Sequence, residues 1–338
     1  MVNKNVRVKI KLYSKADFVN KPLFIFGVPR SGTTLISMIL NQTREIYIPP
    51  ETHYFEGYLH RYTKINGSKN KEKYKVLVKM YLELGPSDFN SIGSFEFSDA
   101  ELNNIYSSSI NGEYNAVTTL NNIMELVCIK NNVKQWGEKT PNHFRRYEEI
   151  KAYYPTATFI NIYRDPRDVV LSLSNVGFEK GHIFSWIRNW RLNIESMHNG
   201  SIFNIKYEDL LVNTEEVLSN LFFRLNILNK SITDDIINVK NPNFSISKEP
   251  WKKKNLTNRI NSDNRNKWKT EMRRFQIVFI TLFLRDYLLE LKYEIPKFTI
   301  LDKFLYLPMV VYYYIVDKLF ILKFNIKKIK SAFYFQIK

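Results

Sequence analysis

The chain has 338 residues, enough to bury a large core as one elaborated domain, alone or with a small appendage. Lysine and arginine number 50 against 33 acidic residues, a formal net charge of +17, so the expected partners are polyanions or highly charged nucleotides. The single cysteine, Cys128, excludes an internal disulfide and a multi-cysteine metal site and suits a reducing compartment. Met1–Lys15 lacks the apolar core of a secretory signal, which favours a cytoplasmic location.

The most informative stretch reads PLFIFGVPRSGTTL. Its run Leu23–Phe26 is typical of a strand buried on both faces, and a helical pattern follows the loop. Gly27 and Gly32 have the spacing of a phosphate-binding loop (P-loop), but Thr33 stands where a nucleoside triphosphatase needs its lysine. The cation of this loop is Arg30. A strand, a glycine-bearing loop and a helix direct backbone N–H groups at an anion, so the stretch predicts a phosphate site that fits a metal-free phosphate ester better than a magnesium triphosphate.

Around this loop the predicted elements follow in order. Residues 1–20 are predicted to form a short strand or arm, and the helix after the loop is predicted over Thr34–Asn41. The double proline at 49–50 breaks regular structure, which places Glu51 on a loop beside the sheet edge. Residues 57–130 are predicted to be mostly helical, with a polar interval suited to acceptor-binding insertions.

The second half of the chain continues the alternation. Trp136–Pro141 is predicted as a turn, Thr156–Tyr163 and Ser201–Lys206 as strands, and residues 183–199 and 265–292 as helices. Strands that alternate with helices imply parallel pairing. The predicted fold class is therefore α/β, an open, mainly parallel sheet of the P-loop type flanked by helices, with helical insertions and with ligands at the strand carboxyl ends.

A second anion site is predicted at the end of the strand Thr156–Tyr163. Arg164 closes that strand, Asp165 is placed to cap the next helix, and Pro166 takes the first helical position. Ser172 follows Asp165 by seven residues, two helical turns on, and so lies on the same face. An arginine and a hydroxyl at a strand–helix junction suit a dianionic phosphate.

These motifs resemble the sulfotransferase family. The family's 5′-phosphosulfate loop reads G-x-P-[RK]-S-G-T-T-L, which Gly27–Leu35 match throughout, and Tyr163–Ser172 is similar to its 3′-phosphate motif. The resemblance covers roughly residues 20–275. It implies an enzyme that uses 3′-phosphoadenosine 5′-phosphosulfate (PAPS) as co-substrate and sulfates a hydroxyl acceptor by in-line transfer. The nucleotide-binding residues so implied are Arg30, Ser31, Gly32, Thr33, Thr34, Arg164, Ser172 and Tyr207, the last near the adenine.

The same resemblance implies catalytic roles for Arg30, Lys139 and Glu51. Arg30 suits the 5′-phosphate or the sulfuryl oxygens, and Lys139 is similar to a lysine that approaches the leaving oxygen in the tyrosylprotein and carbohydrate branches. Glu51 follows Arg30 by 21 residues, close to the tyrosylprotein spacing, and is the predicted general base. His53 and Glu56 remain alternatives for the base. The motif R-K-G-x-x-G is absent, which places the chain nearer the tyrosylprotein and carbohydrate branches than the cytosolic small-molecule branch.

Two other functions stay open. A P-loop nucleotide kinase or NTPase would need a lysine where Thr33 stands. A non-enzymatic basic protein that binds polyanions or membranes would explain the net charge and the basic run 248–274, but it would leave the ordered motifs unexplained. Neither a metal site nor a nucleic-acid partner is predicted.

The predicted sulfotransferase domain covers residues 1–300, and 301–338 form an apolar and basic C-terminal tail. Phe304–Val316 is thirteen consecutive apolar or aromatic residues, interrupted as a helix only by Pro308, and it is too short to span a bilayer, which takes about 20. The tail is either an interfacial membrane helix or a helix docked on the core. An acidic or sulfated glycan would suit the basic surroundings, whereas a lipid-linked acceptor would suit the tail.

Overall fold

The computed structural model describes ten ranges of the chain. They are residues 21–49, 51–55, 71–83, 96–107, 116–175, 183–227, 263–304, 306–312, 314–316 and 318–319. The predicted arm over residues 1–20, the alternative base Glu56 and the basic residues 248–262 lie outside these ranges.

Within the described ranges, five strands form one sheet in the order β2-β3-β1-β4-β5, and every neighbouring pair is parallel. The strands are β1 (Leu23–Gly27), β2 (Ile46–Tyr47), β3 (Gln135–Lys139), β4 (Thr158–Tyr163) and β5 (Ile202–Lys206). The central strand is β1, whose Leu23 lies opposite Gly137 on one side and Thr158 on the other. The prediction of an α/β fold with a parallel sheet is confirmed.

Helices cover the sheet and connect its strands. They are α1 (Thr33–Gln42), α2 (Lys71–Glu83), α3 (Asp99–Ser107), α4 (Ala116–Asn131), a 3₁₀ helix (Pro141–Arg146), α5 (Tyr147–Tyr153), α6 (Pro166–Ser174), α7 (Ile183–Met197), α8 (Tyr207–Val212), α9 (Thr214–Arg224), α10 (Trp268–Glu271), α11 (Arg274–Phe283) and α12 (Arg285–Glu290). The start of α6 is as predicted, because Asp165 caps it by accepting the N–H of Arg167 and Pro166 occupies its first turn.

The side chains of β1 alternate between two cores because successive residues of a strand point to opposite faces. Phe24 and Phe26 belong to the core on one face, and Leu23 and Ile25 belong to the core on the other. All five residues of β1 are buried, as a strand covered by helices on both faces requires. A third core packs α6, α7 and α11 together.

Two predicted elements were wrong. Trp136–Pro141 is not a turn, because its first four residues belong to the parallel strand β3, buried from Trp136 to Lys139. The long helix predicted over 265–292 is broken into α10, α11 and α12, with Met272 in an extended conformation between the first two. A tertiary contact helps to determine where α10 begins, because Asp168 accepts the N–H of Trp268, the first residue of that helix.

The start of the tail is helical and docked. Residues 300–304, 306–312, 314–316 and 318–319 are helical and are here called the tail helix, which includes Pro308. Tyr306 packs against the third core, with its ring centroid 6.2 Å from that of Phe279. Within the described ranges, no helix combines the length and the apolar character that crossing a membrane requires.

Candidate active site

Each strand of the sheet is followed by one of the residues that the sequence singled out. Arg30 follows β1, Glu51 follows β2, Lys139 ends β3, Arg164 follows β4 and Tyr207 follows β5. Because the strands are all parallel, their carboxyl ends lie at one edge of the sheet. Residues up to 177 positions apart in the chain, from Arg30 to Tyr207, are therefore assembled along one edge.

The loop after β1 holds Arg30 in an unusual conformation. Its φ of 73° lies in the left-handed region, which costs a residue other than glycine about 1–2 kcal/mol. Two contacts from β4 and α6 hold it there. The Arg30 Nε donates to Ser172 Oγ at 3.0 Å, and its main-chain carbonyl accepts from an Arg164 guanidinium nitrogen at 3.2 Å. The two predicted anion sites are thus joined directly.

Gly32 is required by the same loop. It precedes the first residue of α1 with a φ of 106°, and a Cβ at this position would lie 2.5 Å from the ring of Tyr207. No other residue fits so close to that ring without displacing it. The first-turn N–H groups of α1, those of Thr33 and Thr34 among them, have no partner within the helix and carry its positive partial charge.

Arg164 is enclosed by the loop that precedes α10. It donates to the Asn264 carbonyl at 2.7 Å, lies 3.6 Å from the Asp168 carboxylate and stacks over the Tyr207 ring at 4.6 Å. The Tyr207 hydroxyl in turn accepts from the Asn264 side chain at 2.8 Å. Burial raises the pKa of the Asp168 carboxyl, although Arg164 and the N–H groups that it accepts oppose the rise.

Two buried polar atoms in this region have no hydrogen-bond partner among the described residues, namely Ser31 Oγ and Arg164 Nε. Ser31 is fully buried and Arg164 is 5% exposed. A buried donor without a partner costs about 1–3 kcal/mol, a cost that a bound ligand or water would remove. Together with the cationic loop, these donors fit a phosphorylated nucleotide.

On the other side of β1, Lys139 is buried and paired with Glu51. Its Nζ donates to a Glu51 carboxylate oxygen at 2.8 Å, and the second oxygen of that carboxylate lies 3.3 Å from His53 Nε2. The lysine side chain is 1% exposed, whereas Glu51 and His53 are about a quarter exposed. The predicted base, its rival and the predicted leaving-group cation therefore share one cluster.

A buried hydrogen-bond network around Glu138 lies next to this cluster. Glu138 is fully buried and accepts hydrogen bonds from the hydroxyls of Thr52 and Thr140, while His143 Nδ1 lies 2.7 Å from its other oxygen. Burial by itself would raise the pKa of the Glu138 carboxyl, but His143 and the two threonines outweigh burial and hold that pKa below its ordinary value. The network fixes Thr52, the residue between Glu51 and His53.

The sequence did not predict this network. The reason is that Gly137 and Pro141 indicated a turn, whereas Trp136 and Glu138 alternate along a buried strand. The spacing of two residues between these side chains was the feature of the sequence that could have indicated a strand. The predicted residues Ser31, Thr33 and Thr34 lie at the start of α1 as expected, and their contacts with a ligand stay a prediction.

Comparison with known proteins agrees with this geometry. A family model described as "Sulfotransferase family" matches residues 22–228, which is more than half of the chain. Among solved structures, the sulfotransferase domain of the Synechococcus PCC 7002 olefin synthase is 20% identical with a TM-score of 0.56, covering 85% of this chain and 100% of that one. The sulfotransferase domain from the curacin biosynthetic pathway is 17% identical with a TM-score of 0.55, covering 82% and 100%.

A search of curated proteins gives no significant match. At these identities the two solved structures establish the fold alone, whereas the family model establishes membership. The chain belongs to the sulfotransferase family.

Proposed function

We propose that the chain is a PAPS-dependent sulfotransferase that moves a sulfuryl group from PAPS to a hydroxyl acceptor. The observation that carries this proposal is the contact between Arg30 and Ser172, backed by the bond from Arg164 to the Arg30 carbonyl. These contacts join the loop after β1 to Arg164 after β4 and to the last turn of α6 in one cationic surface. Such a surface suits a nucleotide that has phosphates at both its 5′ and its 3′ positions.

The binding roles follow from the position of each residue. PAPS, when bound, supplies the activated sulfuryl group. In this proposal the first turn of α1, together with Ser31, Thr33 and Thr34, would donate to the 5′-phosphosulfate. Arg164 and Ser172 would donate to the 3′-phosphate. Tyr207, stacked against Arg164, would contact the adenine end.

The catalytic roles rest on the ion pair between Lys139 and Glu51. Glu51 accepts the proton of the acceptor hydroxyl as that oxygen bonds to sulfur. Lys139 donates to the phosphate oxygen that gains charge as the bridging S–O bond breaks, and Arg30 stabilises the oxygens of the transferred group. The 2.8 Å pair must separate for both residues to do this, because each then binds a different partner.

The acceptor is a hydroxyl of a glycan, a glycolipid or a tyrosine. The net charge of +17 favours an acidic glycan, and the apolar tail favours a lipid-linked acceptor. The cytoplasmic location and the closeness to the tyrosylprotein and carbohydrate branches remain predictions from the sequence.

Calorimetry tests the donor. We expect adenosine 3′,5′-bisphosphate to bind without added metal and more tightly than AMP. Arg164→Ala should weaken the bisphosphate about tenfold or more and leave AMP nearly unchanged, because only the bisphosphate has the 3′-phosphate. Equal affinity for the two nucleotides in the wild-type protein would contradict the 3′-phosphate assignment.

Arg164 and Ser172 both contact Arg30, so AMP affinity is measured for variants of each, and a loss confined to the bisphosphate would assign the effect to the 3′-phosphate. Ser172→Ala removes one hydroxyl and should weaken the bisphosphate about tenfold. Ser174→Ala is the matched control, since Ser174 lies on the same helix and donates to the Val170 carbonyl. Thermal unfolding of each variant identifies any loss that comes from misfolding.

A further inference from the structure

The tail helix has apolar side chains on both of its faces. Tyr306, Met309 and Val310 pack on the third core. The opposite face is made of large apolar side chains that are 51–73% exposed. They are Leu301, Phe304, Leu307, Val311, Ile315 and Leu319, here called the outer face.

The spacing of the outer face is that of one helical stripe. From Phe304 the residues follow at intervals of three, four, four and four, so they lie along the same side of the helix. Neighbouring positions add Tyr312 and Tyr314, which are 58% and 62% exposed. Single exposed apolar residues are normal on a protein surface, but a contiguous stripe of this kind marks an interaction site.

The sequence after the tail helix is positively charged, whereas within residues 300–319 Lys303 and Lys318 are matched by Asp302 and Asp317. Lys303 and Lys318 are exposed on the helix itself, and the Lys318 ammonium lies 5.3 Å from the centre of the Tyr314 ring. Residues 320–338 add five lysines and no acidic residue, together with four phenylalanines and a tyrosine. Large apolar side chains next to lysines and aromatics are the composition of a segment that lies in the interface of an anionic membrane.

We propose that the outer face binds the surface of a membrane that contains anionic lipid, and so holds the enzyme at the bilayer. The helix lies along the interface, with the outer face in the acyl boundary and the lysines among the headgroups. The core side of the helix stays on the protein, where Tyr306 and Met309 already pack. This inference concerns the tail alone and does not depend on the proposed donor.

A second copy of the chain fits the outer face less well. A symmetric dimer through this helix would bring two sets of lysines together at one interface. The chain as a whole has a net charge of +17, so the approach of two such surfaces is unfavourable, whereas an anionic bilayer attracts them.

Vesicle sedimentation with the full chain tests the proposal. We expect binding to phosphatidylcholine vesicles that contain phosphatidylglycerol, about tenfold or more tighter than binding to phosphatidylcholine alone, and weaker binding at high salt. The triple variant L307S/V311S/I315S should lose about tenfold or more of this affinity. These three side chains are mostly exposed, so the fold does not need them.

F223S is the matched control. Phe223 on α9 is 81% exposed and lies outside the outer face, so its replacement should leave vesicle binding unchanged. Failure of the wild-type chain to bind anionic vesicles, or equal binding by the triple variant, would overturn the proposal. So would a wild-type dimer that the triple variant converts to a monomer without any effect of lipid. Nucleotide calorimetry on the triple variant reports separately on the donor site.

Discussion

The two sides of the candidate site balance charge in different ways. On the β4 side, the hydrogen bonds of Arg30 and Arg164 run to a serine hydroxyl and to main-chain carbonyls, and the Asp168 carboxylate lies 3.6 Å from Arg164. On the β3 side, Lys139 donates directly to the Glu51 carboxylate at 2.8 Å. Neutral acceptors orient the guanidinium groups and leave their positive charge in place, so Asp168 offsets only part of the charge of the two arginines, whereas Glu51 offsets the charge of Lys139.

This difference indicates that the two sides of the sheet edge have different roles, one in binding and one in catalysis. The β4 side keeps a permanent positive charge, which suits the binding of an anionic nucleotide. The β3 side holds a pair of opposite charges in a buried setting, where separation is costly unless a substrate supplies new partners. Substitutions on the β3 side should therefore change the rate more than nucleotide affinity, and those on the β4 side should do the reverse.

The largest effect is expected at Glu51. Glu51→Gln keeps size and an acceptor for Lys139 but removes basicity, so sulfuryl transfer should slow by about 10²–10⁴-fold with bisphosphate affinity intact. His53→Asn, which alters the neighbour at 3.3 Å, should cost far less. Single-turnover transfer of the sulfuryl group from ³⁵S-labelled PAPS measures the rates of both variants. The reverse ranking would identify His53 as the base, and small equal losses would mean that no protein base acts.

A smaller loss is expected at Lys139. Lys139→Ala should lower the single-turnover rate by about 10²–10³-fold and change nucleotide affinity much less, because the charge on the leaving oxygen develops in the transition state. Arg285→Ala, which removes an exposed cation from α12, is the control for net charge and should change neither quantity. If Lys139→Ala raised only the dissociation constant of the nucleotide, Lys139 would be a binding residue.

The smallest effect, on stability, is expected at Glu138. Glu138→Gln should lower the free energy of unfolding near neutral pH by about 2 kcal/mol, because it weakens the bonds to His143 and the two threonines. Since the pKa of folded Glu138 lies below its ordinary value of 4.5, this contribution is present above pH 4.5. It is lost as the pH falls through the lowered folded value.

Denaturant unfolding at a series of pH values measures this effect. The difference between wild type and Glu138→Gln should narrow as the pH falls below 4.5. Glu271→Gln, at an exposed position of α10, should show no such dependence. A difference that stays constant with pH would mean that the charge of Glu138 does not stabilise the fold.

Local patterns were sufficient to predict most of the sheet and the β4 side of the site. The continuous apolar runs of β1 and β4 and the cap of α6 at Asp165 were readable because neighbouring residues specify each of them. Arg30, Arg164 and Ser172 were found through motifs that keep sequence neighbours together. The contact between Arg30 and Ser172 follows from the sheet order, because β1 and β4 are parallel neighbours and the two residues come after their carboxyl ends.

The β3 side was less predictable because its partners are distant in the chain. Glu138 is 86 residues from Thr52, and Lys139 is 88 residues from Glu51. In the sequence, the glycine and the glutamate of this segment favour a turn. That Glu138 can be buried on a strand becomes clear only when its distant partners are known. The network exists because β2 and β3 pair in parallel, which brings Thr52 and His143 to the same carboxylate.

The sequence by itself determined the fold class, the glycine-bearing loop after β1 and the family, because these depend on residue types at fixed short spacings. Tertiary structure decided which charges meet. It placed Glu51 against Lys139, broke the predicted helix over 265–292 into three, and left one apolar face of the tail exposed. The physical reason is that ion pairs, helix ends set by remote carboxylates and the burial of one helix face all depend on residues far apart in the chain, which no local pattern specifies.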